Sequence, residues 1–213
     1  MVAKGISLDN RYRLVAVAGL LSVAGCQHNP LLVQRSACPA VAVPNFTGDT
    51  TLFRGDGTTA ADIDVVATMT NVRGTCTDAA SDRVGTTVSF DVVARRVDPA
   101  GARTVTLPFF ASVVQGGNLL VSKQIGAVTV AFADGQARAQ ASGSARADVD
   151  RAATRLGDAI AKKVNRKRRP GDLDAATDPL ADPEVKAAIR ATTFEVLVGF
   201  QLSDDALAYN AAK

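Results

Sequence analysis

The chain has no tryptophan, two tyrosines, one histidine and three cysteines among 213 residues, and each scarcity narrows what it can do. Surfaces that stack bases or sugar rings are built from aromatic platforms, and an aromatic share of 5% supplies few. Nucleic acid and carbohydrate are therefore poor candidates as partners. The single histidine, His28, has no ligand at metal-site spacing, so a His/Cys metal centre is not expected. Its isolation also leaves the body of the chain without a Ser-His or Cys-His pair, and no Gly-x-Ser-x-Gly elbow occurs. Ser-Lys and paired-carboxylate catalysis stay open on composition, although no Ser-x-x-Lys motif is found. The expectation is a protein with no enzymatic activity, no catalytic residues, no cofactor and no metal. Long apolar runs are missing too: Leu14 to Gly25 is uncharged and mostly apolar, but too short for a membrane-spanning helix of about 20 residues.

What that stretch does encode is an address. Lys4, Arg11 and Arg13 precede it, the cationic-then-apolar order of a secretory signal. It ends Leu21-Ser22-Val23-Ala24-Gly25-Cys26, which resembles the lipobox of bacterial lipoproteins. The resemblance implies a signal peptide over 1–25, diacylation of the Cys26 sulfur, cleavage before it and acylation of the new amino terminus. Two or more chains anchor stably, because each buried methylene contributes about 0.8 kcal/mol. Ser22-Val23-Ala24 also fits an ordinary signal peptidase, which would release a soluble protein beginning at Gly25. Cysteine arithmetic favours the lipid, since three cysteines in an exported chain leave one over. Gln27 stands where an aspartate would suggest inner-membrane retention in enteric bacteria. By that analogy the protein is anchored in the outer membrane, facing the periplasm.

Cys38 and Cys76 then make the natural pair, because disulfides persist in an oxidising periplasm. Closing a loop of about 39 residues stabilises the fold by about 4 kcal/mol on a chain-entropy model. Two buried thiols are the alternative. Cleavage removes Lys4, Arg11, Arg13 and Asp9, so the net charge of +3 falls to about +1 and implies no polyanionic partner. What remains suffices for one domain with a real core.

Residues 26–37 read as a lipidated tether and 38–213 as one β-sandwich domain. Cys38 to Val43 is the first strand-like run, followed by turn chemistry from Asn45 to Thr59. Period-two alternation then dominates. Ile63, Val65, Ala67 and Met69 share a face, as do Val88, Phe90, Val92 and Ala94, then Val105, Leu107, Phe109, Ala111 and Val113. Val128, Val130 and Phe132 follow, then Ala137, Ala139 and Ala141. Pro108 removes a ladder donor and predicts an edge strand or a bulge. Strands without intervening helices and with short Gly/Asp/Pro turns predict a mainly β, immunoglobulin-like antiparallel sandwich. An excursion over 148–192 interrupts it. Val149 to Val164 predicts an amphipathic helix that begins there or among the preceding alanines, and Asp172 to Glu184 an exposed acidic connector. Phe194, Val196, Val198, Phe200 and Leu202 predict a last strand, and Ser203 the cap of a terminal helix with Asp204 and Asp205 in its first turn.

The sharpest charge feature is the cluster Lys162, Lys163, Arg166, Lys167, Arg168 and Arg169, stopped by Pro170-Gly171. It is either a contact for anionic lipid headgroups, at about 1 kcal/mol per cation, or a helix end neutralised by the acidic connector beside it. The second reading is favoured, because sequence-adjacent opposite charge pairs readily. Asp172, Asp174, Asp178 and Glu184 do not match a calcium loop, since Thr177 occupies the glycine position and the glutamate falls one residue late. Asp49, Asp56, Asp62 and Asp64 could converge on a cation, but turns and strand edges are where aspartates ordinarily sit.

Phe194 to Leu202, followed by Leu207-Ala208-Tyr209-Asn210, is similar to the ending of a family of uncharacterised alphaproteobacterial lipoproteins. Thr70-Asn71-Val72-Arg73-Gly74-Thr75-Cys76 and Leu107-Pro108-Phe109-Phe110 resemble the same group. The resemblance implies a bacterial envelope setting and carries no activity or site residue. The expected function is a lipid-anchored interaction or structural module of the cell envelope, held to the membrane through its N-terminal lipid and binding an envelope protein. A periplasmic small-ligand carrier or enzyme is the alternative. A deep apolar pocket with converging polar groups would favour the second; a filled core with an exposed apolar patch, the first.

Overall fold

Alternating apolar residues can be satisfied only by strands with one face on a core. The computed structural model, which describes residues 35–77 and 81–212, contains eight strands among them. They are β1 (Ala40–Ala42), β2 (Asp49–Phe53), β3 (Ile63–Thr77), β4 (Arg83–Arg96), β5 (Arg103–Gln115), β6 (Leu119–Phe132), β7 (Arg138–Asp150) and β8 (Phe194–Phe200). Three helices accompany them: α1 (Asp158–Asn165), α2 (Pro183–Ala191) and α3 (Asp204–Ala212). The signal peptide, Cys26 and His28 lie outside the described residues.

The strands form two four-stranded sheets, β1-β8-β5-β6 and β2-β3-β4-β7, facing each other as a β-sandwich. Every pair is antiparallel except β1 with β8, which is parallel. The inward residues are the ones the alternation picks out: Val65, Ala67 and Met69; Val88, Phe90, Val92 and Ala94; Val105, Leu107, Phe109, Ala111 and Val113; Val128, Val130 and Phe132. At the centre the Phe90 and Phe109 rings meet edge-to-face, their centroids 5.0 Å apart. Each ring lies over a glycine that is its own register partner on an edge strand, Gly143 of β7 and Gly126 of β6. A Cβ at either glycine would fall 2.5 Å from a ring carbon.

β8 runs in the middle of its sheet, between β1 and β5, with Val196 and Val198 fully buried. The strand that arrives last is thus central to the fold. Cys38, just before β1, is bridged to Cys76 of β3 with Cα atoms 5.8 Å apart, so the disulfide ties one sheet to the other. Cys76 does not sit in a turn, because β3 continues to Thr77. The polar break before it is a bulge. Asn71 adopts a left-handed φ of 53° and the register shifts between Thr70 and Arg73. Asn71 Nδ2 donates to Asp91 on β4 at 2.8 Å and Ser142 Oγ on β7 donates to the same carboxylate at 2.7 Å. Those hydrogen bonds hold the Asp91 carboxyl below the usual range.

Four sequence expectations are corrected. The stretch Asn45 to Thr59, read as turns, contains β2, which pairs antiparallel with β3 from Asp49 opposite Thr68 to Phe53 opposite Ile63. Val149 belongs to β7, where it pairs with Val84 and is buried, and the helix is only Asp158–Asn165 after a short turn at 152–154. The period-two series Ala145, Ala147, Val149 outweighs the helical propensity of its alanines, because Ala147 and Val149 face the core. β5 is central, neither an edge nor bulged at Pro108. The Pro108 carbonyl accepts from Gln201 N–H at 2.9 Å, so its nitrogen faces the side where the β8 ladder has just ended at Phe109–Phe200. The acidic connector ends in structure, since Asp182 caps α2 by accepting from Glu184 N–H at 2.8 Å, with Pro183 at the first helical position.

Candidate functional site

The sandwich has two distinct ends. At one, β4 crosses to β5 and β6 crosses to β7 between sheets, so two loops must be joined over the core. Arg96, 2% exposed, does this. Its Nε donates to Gln136 O at 2.8 Å and its Nη2 to Pro99 O at 2.6 Å and Ala133 O at 2.9 Å, while its guanidinium lies over the Phe132 ring.

Beside these loops is an open groove of about 550 Å³ between the sheet ends and α3. Phe53, Pro108, Leu202 and Tyr209 supply apolar walls, and Phe53 meets Tyr209 edge-to-face. Asp64 and Arg103 form its polar margin. Arg103 Nη1 and Nη2 donate to the two Asp64 oxygens at 2.8 and 2.5 Å, a bidentate pair. Hydrogen bonding from Arg103 holds the Asp64 carboxyl low, against the opposing effect of burial. Gln201 also lines the groove, and its buried Oε1 has no hydrogen-bond partner among the described residues. Ser203 caps α3, accepting from Ala206 N–H at 3.2 Å, and Asn210 pins the helix to Phe46 O and Asp49 O at 2.8 Å each.

At the other end lie the β5–β6 turn and the excursion. β6 changes character along its length. Val128, Val130 and Phe132 are buried, but the same-parity positions before Gly126 are Gln124 and Ser122, and everything from Leu119 to Ile125 is exposed. Leu119, Leu120 and Val121 stand 58%, 57% and 51% exposed. The sequence reading did not single them out; three consecutive aliphatics breaking the alternation were the available signal. Arg35 closes this end, donating to Thr192 Oγ1 at 2.7 Å and Thr193 Oγ1 at 3.2 Å. Thr193 O in turn accepts from Gly116 N–H of the β5–β6 turn at 2.9 Å. Residues 35–37 of the expected tether are therefore docked, and Ala37 packs on the core.

The basic cluster sits on the excursion and is partly spent. Lys163 pairs with Asp182 at 2.5 Å and Glu184 at 3.4 Å, Arg166 with Asp172 and Asp174, and Arg168 with Asp174 at 3.4 Å. The Lys163 ammonium is stabilised chiefly by hydrogen bonding to Asp182. Lys162, Lys167 and Arg169 have no side-chain ion pair among the described residues. The other acids of the calcium-loop reading are engaged as well, Asp178 by capping the turn at Leu180 N–H. Asp49 accepts from Thr68, Asp62 from Thr59 and Asp64 from Arg103, so three of the four early aspartates serve separate neighbours. No group of three or more metal-capable side chains occurs among the described residues.

No family model, curated protein or solved structure matches the chain.

Proposed function

We propose that the chain is a lipid-anchored module of the bacterial cell envelope, tethered through Cys26 in the outer membrane, that engages another envelope protein and performs no catalysis. The observation that carries this reading is the placement of the groove. It opens at the crossover end, remote from Arg35, where the chain leaves toward Cys26. An anchor attached through that end leaves the groove open to a partner. Its apolar walls and prealigned Asp64–Arg103 pair suit an extended segment of a partner, with side chains against Phe53 and Tyr209 and backbone amides near the polar margin. The resemblance to alphaproteobacterial lipoproteins supports the same setting.

Two experiments test it. A photo-crosslinking residue at the exposed Ser203 or Asp205, in cells, yields a discrete protein adduct. Cys26→Ser leaves an unprocessed or soluble form. Processing and membrane binding unchanged by Cys26→Ser would overturn the anchor.

The orphaned Gln201 Oε1 favours a second reading, a small ligand with a hydrogen-bond donor held in the same groove. Native mass spectrometry of protein taken from the envelope separates the two: a bound small molecule without a protein adduct supports the carrier.

A further inference from the structure

We propose that the hairpin end, Leu119 to Ile125, is a membrane-contact face that inserts aliphatic side chains among the phospholipids of the bilayer holding the anchor. This goes beyond partner binding and rests on the lipid-anchor reading of Cys26.

Three observations converge. The first is exposure without a core behind it. Leu119, Leu120 and Val121 are each more than half exposed, and Ile125 reaches 58%. Val121 is the extra residue of a register shift, since Val113 pairs with Ser122 and Val114 with Leu120. The inward positions behind them are Ser122 and Gln124, and Gln124 Nε2 donates to Arg146 O at 2.5 Å. Folding thus leaves these aliphatics in water, where an apolar cluster marks an interaction surface.

The second is where the chain departs. Arg35 is bonded to Thr192 and Thr193, and Thr193 to Gly116, in the turn that leads to Leu119. From Cys26 to Arg35 the chain spans at most about 30 Å when fully extended. The lipid and the aliphatic hairpin therefore leave the same end of the domain on a short tether. That geometry selects a bilayer as the occupant. A protein partner would have to reach the hairpin in the space between the domain and its own membrane.

The third is charge. Lys163 joins α1 to the start of α2, and the far end of α2 meets the hairpin through Gln115 Nε2, which donates to Ala191 O at 2.6 Å. The nine residues of α2 rise about 14 Å. Lys162, Lys167 and Arg169, without a side-chain ion pair among the described residues, belong to this same excursion, while the acids beside them are engaged by Lys163, Arg166 and Arg168. Aliphatic insertion with cations at the same end of a domain is the usual chemistry of attachment to an anionic phospholipid surface.

The test uses the full processed protein in vesicles of phosphatidylethanolamine and phosphatidylglycerol carrying a diazirine on one acyl chain. After photolysis, adducts are mapped by mass spectrometry, and the peptide containing Cys26 is weighed for acyl groups. Adducts are expected on 119–125 and not on 203–206. Leu120→Glu with Val121→Glu lowers those adducts about tenfold or more, because a carboxylate is strongly disfavoured in hydrocarbon. The membrane-bound fraction stays unchanged, since the lipid still anchors, and both sites are exposed enough for the fold to persist. Unlabelled 119–125 in membrane-bound wild type, or labelling insensitive to the two glutamates, overturns the proposal. So does a dimer in native mass spectrometry that the two glutamates abolish, which would make the β6 edge a pairing surface between chains. Absence of acyl mass on Cys26 refutes the anchor separately. The hairpin is then judged on whether the unlipidated protein still acquires adducts at 119–125, and their absence refutes it too.

Discussion

At the scale of single residues, the charged groups show which polar burial the fold requires. Arg96 is a guanidinium inside the sandwich whose partners are backbone carbonyls of the two crossover loops. It adds to the direct bonds between those loops, Gly135 N–H to Pro99 O at 2.9 Å and Gly101 N–H to Asp134 at 2.7 Å. Arg96→Met keeps the stem but leaves Gln136 O without its donor, while Pro99 O still accepts from Gly135 N–H and Ala133 O from Gln136 N–H; it is expected to cost about 1–3 kcal/mol in urea unfolding. Asp64 is the pH-sensitive member of the groove. The Arg103 hydrogen bond lowers its folded pKa below its unfolded value, so its contribution is full above the ordinary carboxylate range. It disappears as pH falls through the folded value. Unfolding midpoints measured between about pH 6 and pH 2 should fall less steeply for Asp64→Asn than for the native chain. An unchanged slope would mean the pair is too well hydrated to matter.

At the scale of elements, the close approach of β6 to β7 depends on two missing side chains. Phe90 and Phe109 fill the space over Gly143 and Gly126, an arrangement in which each aromatic covers the glycine opposite it. Gly143→Ala places a Cβ 2.5 Å from Phe90 and 2.7 Å from Val128. It should destabilise by about 1–3 kcal/mol, with the loss concentrated in hydrogen exchange of β6 and β7. The disulfide acts on the opposite side, joining the β1 edge to β3. Cys38→Ser with Cys76→Ser should lower stability by about 4 kcal/mol, read from denaturant midpoints. A much smaller loss would show that β1 is held mainly by its parallel ladder to β8.

At the scale of the whole molecule, the excursion is a long detour between two strands of one body, for β8 returns to the centre of the first sheet. Truncation after Arg190 removes the strand that bridges β1 and β5, and should abolish cooperative thermal unfolding. Shortening the chain between Pro170 and Pro183 should leave the midpoint nearly unchanged, because loop-closure entropy varies slowly with length. An unchanged cooperative transition after truncation would make β8 peripheral, contrary to its burial.

The sequence alone determined the long strands and their inward faces, the capped terminal helix and the cysteine pair, but not β2, which lies within the stretch read as turns. Side-chain period, cap chemistry and a compartment preference are local or compositional signals, and Val65 or Phe90 needs no distant partner to announce its parity. Only the tertiary structure decided what depended on neighbours far along the chain. Val149 joined a strand because Val84 waits opposite it, and Pro108 entered a central strand because the β8 ladder ends where its missing donor would point. The same holds for both candidate sites. The groove gathers Phe53, Arg103 and Tyr209 from three separated segments. The aliphatic hairpin stays exposed because its inward-parity positions, Ser122 and Gln124, are polar and the core stops at Gly126. Alternation along one strand specifies which face is apolar; what covers that face is settled by the packing of strands distant in sequence.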